Sequence, residues 1–276
     1  VLEGVKSLRP DLEILLEGRD GSSIHEMLDE QVAAVLINHV DYRSGIIRDM
    51  ENLTRQVQEF GGLAVWDLSH SAGVFPVQLN RCRVDFAVGC TYKYLNGGPG
   101  APAYLYAASR HHTACNQPLS GWFGHARPFD FERHFDPDSG IRRFVCGTQP
   151  ILSLRALQSG LEIYQDVSLQ QVREKSMALT DLFIKLLKNE CAAWELEIIS
   201  PEDASQRGSQ VAVSHPQGYA VMQALISRGV IGDFRAPNLM RFGFAPLFLS
   251  YQDIHDAVKQ LKQILESEEW TQEAFL

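Results

Sequence analysis

The five cysteines, Cys82, Cys90, Cys115, Cys146 and Cys191, include no CxxC pair and do not divide into an even framework. Neither a zinc site nor a disulfide scaffold is supported, and a reducing, cytoplasmic setting is the expectation. Clusters of Lys and Arg are also missing. With 25 basic against 34 acidic residues the formal net charge is -9, which argues against a nucleic-acid partner, because binding phosphates takes grouped cations. No apolar run is long enough to cross a bilayer and no charged-then-apolar leader opens the chain, so no membrane partner is expected. The opening "VLEGVKSLRP" has no initiator Met and no recognisable first strand, and is read as the start of a fragment. The sequence holds no internal repeat and no low-complexity tract.

What is there suits a folded chain: 276 residues, 45% of them hydrophobic, leave room for two domains or one large one. Four apolar runs have strand length: "AAVLINH" (33–39), "LAVWDLSH" (63–70), "VDFAVGC" (84–90) and "APAYLYA" (101–107). Their continuity predicts strands buried on both faces. Between the first two, Leu53, Val57 and Phe60 recur at helical spacing, and Gly61 and Gly62 suit a helix C-cap. A βαβ unit is the result. Upstream, Ser23 and Glu26 have capping-box spacing. The alternation predicts an α/β fold with a mixed, mostly parallel sheet, whose ligands bind beyond the carboxyl ends of the strands.

From about Leu152 the pattern changes to long amphipathic helices, "SLRALQSGLEIYQDV" and "SLQQVREKSMALTDLFIKLLKNE". In the second, Val172, Leu179, Leu182, Phe183 and Leu186 make one apolar stripe. Candidate strands "ELEIIS" and "SQVAVSH" come next, then helices "GYAVMQALISRG" and "YQDIHDAVKQLKQILES". The expected division is a large ligand-binding domain over 1–165 and a smaller C-terminal α/β domain over 166–276.

The chemistry concentrates near two strand ends. Asp67 closes "LAVWD" and Lys93 lies just past the next strand, in "GCTYKYLNGGPG", so both side chains can reach one crevice. A lysine and an aspartate facing one pocket suggest pyridoxal phosphate (PLP): the lysine forms a Schiff base and the carboxylate keeps the ring nitrogen protonated. Alone, a strand-end Asp is more often an Asx-turn and a strand-end Lys a solvated charge. "NGGPG" supplies a tight turn where backbone approaches a ligand, and His70 adds a second polar group beside Asp67.

Taken together, "WDLSHSAG", "GCTYKYLNGGPGAPAYLY", "PLSGWFGH", "CGTQPILSL" and "MRFGFAPLF" strongly resemble bacterial kynureninase, a PLP-dependent transferase-like enzyme of fold type I in the aspartate aminotransferase superfamily. The likeness runs along nearly the whole chain and is faintest over the first thirty or so residues. It implies a hydrolase acting on a C–C bond, which cleaves the Cβ–Cγ bond of L-kynurenine to anthranilate and L-alanine in tryptophan catabolism. It implies Lys93 as Schiff-base lysine and acid/base at Cα, Asp67 as partner of the pyridinium nitrogen, and His70 as support for the same pocket. Tyr92 resembles the family's phosphate-contacting tyrosine and candidate proton donor. Trp122 and Thr148 match phosphate contacts that the family takes from the neighbouring subunit, so a homodimer with a shared active site is implied. Arg241 resembles the arginine that clamps the substrate α-carboxylate, a task suited to a guanidinium fork; Arg235 is the competing candidate.

The resemblance also implies a missing front segment that carries the main phosphate loop, a ring-stacking aromatic and a second aspartate, none assignable here. The substrate expected is L-kynurenine or 3-hydroxykynurenine, with the ring hydroxyl undecided. A cysteine desulfurase or related lyase is the nearest alternative, but that group has His directly before the lysine, where this chain has Tyr92, and a mobile catalytic cysteine, for which only Cys115 in "SRHHTACNQ" offers itself. His111 and His112 point apart and are expected in a solvated loop, without a metal. The remaining alternative is an inactive dimerising fragment.

Overall fold

Two four-stranded sheets, each with its own apolar core, organise the chain. The structure is a computed structural model and describes residues 1–18 and 23–275. Two short helices, α1 (Leu2–Leu8) and α2 (Ile24–Met27), come first, and Ser23 and Glu26 form the expected capping box at α2. The βαβ unit is built from β1 (Ala34–Asn38), α3 (Met50–Glu59) and β2 (Leu63–Asp67). β3 (Phe86–Cys90) continues the parallel run and β4 (Ala103–Ala107) closes the sheet antiparallel, in the order β1-β2-β3-β4.

The local chemistry of α3 explains its limits. The Asp49 carboxylate accepts the Asn52 N–H at the start. At the end Gly61 adopts a φ of 82°, which a side chain resists, and the Gly62 N–H closes on the Val57 carbonyl at 3.0 Å. Met50, Leu53, Thr54 and Val57 are buried, and the fully buried Trp66 donates its indole N–H to Thr54 Oγ1 at 2.9 Å. Burying Leu53 and Val57 contributes roughly 2 kcal/mol each. Phe60, expected on the same stripe, is 42% exposed.

Burial on both strand faces is not what the structure shows. Ile37, Ala64, Trp66 and Ala87 pack under the helices, while Leu36, Leu63, Val88 and Leu105 lie exposed on the opposite face. α2 and α3 cover only one side, so the apolar runs reflect a face that these helices leave open.

The second half contains α4 (Ile151–Glu162), α5 (Leu169–Glu190), β5 (Glu197–Ile198), β6 (Gln210–Ser214), α6 (Gly218–Ser227), β7 (Asp233–Arg235), β8 (Leu239–Gly243) and α7 (Tyr251–Glu266). Its sheet runs β5-β6-β8-β7 and is antiparallel throughout. Val211, Val213, Met240 and Phe242 face a core made with α5, α6 and α7, where the Phe183 ring lies 4.9 Å from Phe242 and 5.2 Å from Phe244. The expected α5 stripe is buried at Val172, Leu179, Phe183 and Leu186, with Leu182 partly buried. α4 differs from its expected amphipathic role: Ile151, Leu152 and Leu161 are exposed and only Leu157 is buried.

The other face of the second sheet, which carries Gln210, Ser214 and Arg241 among smaller and apolar residues, meets the turn after β1. Gln210 Nε2 donates to the Asp41 and Tyr42 carbonyls, Ser200 Oγ to the Ser44 carbonyl, and the Gly208 N–H to the Gly45 carbonyl. This turn also leaves β1 at its carboxyl end, the edge where Asp67 and Lys93 sit.

Candidate functional site

Parallel β1, β2 and β3 bring three carboxyl ends to one edge. Asp67 ends β2 there, on the open face. Its Oδ1 accepts the Ser69 N–H at 2.8 Å, the Asx-turn that such a position favours, and Oδ2 has no hydrogen-bond partner among the described residues. The turn carries His70 back over the strand end, where its Nε2 lies 3.1 Å from Lys93 Nζ. Burial first, then the charges of Lys93 and Arg241, push the His70 imidazole down to about 4, with Asp67 and Asp233 opposing. At neutral pH the ring is uncharged, and its Nε2 can accept an N–H from the lysine.

Lys93 owes its place to the turn after it. Asn96 and Gly98 have φ of 60° and 74°, and the Gly97 N–H donates to the Thr91 carbonyl at 2.9 Å. A Cβ on Gly97 would lie 2.7 Å from that of Ala101. The two tyrosines flanking the lysine part company. Tyr92 is half-exposed, with Lys93 Nζ 5.5 Å from its ring centre, and burial with neighbouring Cys90 raises its hydroxyl above the ordinary value. Tyr94 is turned inward and donates to the Ser209 carbonyl at 2.8 Å, tying the lysine turn to β6.

The second sheet contributes Arg241 from β8. Its guanidinium pairs with Asp233 and donates to the Tyr42 carbonyl, and its charge acts on His70. Burial works to raise the Asp233 carboxyl, but the hydrogen bonds and charge of Arg241 outweigh it and hold it below the ordinary carboxylate range. Arg235 makes an exposed pair with the same aspartate at 3.3 Å.

His70 and Lys93 therefore meet directly, the charges of Asp67 and Arg241 act on the same imidazole, and Tyr92 lies beside the lysine. Trp122 and Thr148 are not brought to it within this chain. The Trp122 ring meets Phe123 and Phe129, its segment packs against the 143–146 turn, and neither residue hydrogen-bonds with Asp67, His70 or Lys93. His111 and His112 are held, contrary to a solvated loop: His111 Nε2 is 2.7 Å from the buried Asp85, and His112 Nε2 is 3.0 Å from the Ala107 carbonyl. The stretch leading to Cys115 leaves β4 beside Asp85, at the edge of the sheet opposite Lys93. Among the described residues no His, Cys, Asp and Glu group could hold a metal ion, and no helix is long and apolar enough to cross a membrane.

Sequence reasoning missed three supports. Asp233 lay unremarked beside Arg235. Gly160 lets α4 approach the lysine turn, since a Cβ there would lie 2.5 Å from the Asn96 carbonyl oxygen. Tyr164 donates to the Gly73 carbonyl at 2.9 Å and also contacts the Tyr94 carbonyl. A glycine inside a helix, four residues before a tyrosine, was the available signal.

A model of the kynureninase C-terminal domain matches residues 172–261. The kynureninase of Burkholderia mallei (strain SAVP1) is 49% identical over 251 residues, covering 91% of this chain and 60% of that protein. The chain is thus similar to kynureninase along most of its length. It spans 60% of the length of the curated kynureninases it matches. Among solved structures, an apo cysteine desulfurase from Thermococcus onnurineus NA1 superposes with a TM-score of 0.78 at 18% identity, over 96% of this chain and 70% of that one. A cystine C-S lyase mutant with glycine covalently linked to its PLP cofactor gives a TM-score of 0.73 at 18% identity, over 87% and 62%. These likenesses show the fold, the α/β aminotransferase-like architecture of fold-type I PLP enzymes.

Proposed function

We propose that this chain serves the PLP-dependent hydrolysis of the Cβ–Cγ bond of L-kynurenine, giving anthranilate and L-alanine in tryptophan catabolism. The observation that carries the reading is the crevice itself: Lys93 Nζ beside a neutral His70, with Asp67 and Arg241 close enough to act on the same imidazole. The donor set fits the ring end of PLP. Lys93 would form the Schiff base, and Asp67, with Oδ2 unpaired among the described residues, would hold the ring-nitrogen proton. The phosphate end is not completed within one chain, which agrees with Trp122 and Thr148 serving the site of a second copy in a homodimer.

PLP, when bound, supplies an electron sink for the pair released at the substrate's Cα and Cβ. The residues do the rest. Lys93 Nζ takes the Cα proton and returns it, its N–H steered by His70 Nε2. Arg241 holds the α-carboxylate through charged N–H bonds. Water adds to the γ-carbonyl and the Cβ–Cγ bond breaks, leaving anthranilate. Tyr92, whose hydroxyl is held above its ordinary value by burial, gives its proton to Cβ and recovers one from the water that added to the γ-carbonyl. L-Kynurenine or 3-hydroxykynurenine would enter the same crevice, in the cytoplasm.

The two sheets support a division into a PLP-binding domain over 1–165 and a smaller domain over 166–276. A desulfurase reading has less support, because the segment bearing Cys115 starts at the opposite sheet edge and Tyr92 precedes the lysine. The test is to supply the purified chain with PLP and L-kynurenine and follow anthranilate fluorescence. The expected result is product formation that Lys93→Ala abolishes and Tyr92→Phe largely removes while the cofactor absorbance persists. No anthranilate from the wild-type chain would favour a dimerising fragment over a working enzyme.

A further inference from the structure

Arg241 does not enter the crevice as a free cation. Its Nε donates to Asp233 Oδ1 at 2.6 Å, its Nη2 donates to Oδ2, and its Nη1 donates to the Tyr42 carbonyl. A guanidinium carries about five N–H groups. Three are taken, and one remains on each of Nη1 and Nη2, a pair suited to the two oxygens of another carboxylate. Asp233 and Arg241 face each other directly in the β7–β8 register, so the backbone fixes their pairing. The arginine side chain is 10% exposed and the aspartate 45%, and the Tyr42 ring centre lies 5.8 Å from the guanidinium carbon.

We propose that Asp233 is the positioning residue of the substrate-carboxylate clamp: by occupying the Nε edge of Arg241 it aims the two remaining Nη N–H groups at the α-carboxylate. The inference rests on the reading of Arg241 as that clamp. Because Asp233 and the substrate use different hydrogens, the aspartate supports binding and does not compete with it. Without it, a long side chain with several rotamers is tethered only by one backbone carbonyl, and the fork loses its direction. The charge of Asp233 also offsets that of Arg241, so the clamp selects by geometry and rejects ligands that lack a second pair of acceptor oxygens.

The test uses the PLP-loaded chain, with calorimetric Kd values for L-kynurenine and for its α-carboxamide, alongside KM and kcat for L-kynurenine. For Asp233→Asn the expected result is L-kynurenine binding weakened about tenfold or more, with carboxamide binding little changed. KM should rise in step while kcat stays within about twofold of wild type. Tighter L-kynurenine binding in Asp233→Asn would make the aspartate a competitor, and unchanged binding would make it a surface ion pair; either overturns the proposal. Equal weakening for both ligands would trace to general loss of fold and also overturn it. Arg241→Gln separates the underlying reading: if it leaves L-kynurenine binding unchanged, or if the wild-type chain does not bind L-kynurenine, the clamp itself is refuted. If Arg241→Gln loses carboxylate binding and Asp233→Asn does not, the clamp stands and only the role of Asp233 falls.

Discussion

His39 should make this chain lose stability on mild acidification. It sits just past β1 with 6% exposure, its ring edge-on to Trp66 at 5.7 Å and to Phe75 at 5.3 Å, and its Nδ1 has no hydrogen-bond partner among the described residues. Burial pushes the imidazole down to about 4. The ordinary imidazole titrates near 6.5, so between these values the unfolded chain binds a proton that the folded chain refuses, and stability falls as pH falls. Its contribution is complete above the unfolded value and is lost on the way down through the folded one. Linkage with these two values gives a loss of about 2 kcal/mol from pH 7 to pH 5, and about 3 kcal/mol by pH 4. Urea unfolding followed by tryptophan fluorescence at pH 7 and pH 5 measures it. His70 is also pushed down to about 4, so the informative comparison is with His39→Leu, which keeps His70 and removes only the His39 share. If His39→Leu and wild type lose the same stability between pH 7 and pH 5, the reasoning is refuted.

Two further expectations concern buried polar groups. Arg207, with a fully buried side chain, donates to the carbonyls of Pro201 and Glu202, to Thr180 Oγ1 and to Asp181, so Arg207→Met should cost about 3–5 kcal/mol by stranding its partners, read as a fall in urea midpoint. Tyr104 is the opposite case: its buried hydroxyl has no partner among the described residues, so Tyr104→Phe should stabilise by about 1 kcal/mol, and a lower midpoint would contradict that account.

Much of the first sheet was legible because α3 announces itself through an apolar stripe and two closing glycines, while its acidic N-cap, Asp49, emerged only from the structure. The placing of Asp67 and Lys93 at one sheet edge was legible for a related reason: parallel strands put successive carboxyl ends on the same side. Two kinds of information were not local. Leu36 and Val88 read as buried because a hydrophobic run records composition, whereas exposure depends on which face receives a helix. Asp233 was invisible because its importance comes from the β7–β8 register with Arg241, a pairing that the intervening sequence does not disclose. The residues around Trp122 carried a recognisable pattern, yet within this chain the Trp122 ring meets Phe123 and Phe129.

The open face of the first sheet bears on the carboxylate at its edge. Asp67 stands in the same row system as Leu36, Val65, Val88 and Leu105, an anion bordering hydrocarbon. Whatever comes to lie over those side chains also removes water from one flank of that anion. The attraction between two opposite charges 4 Å apart grows from about 1 to about 4 kcal/mol as the effective dielectric constant falls from about 80 to about 20. Any cation that Asp67 came to hold would thus be gripped more firmly the tighter the covering of those aliphatic side chains.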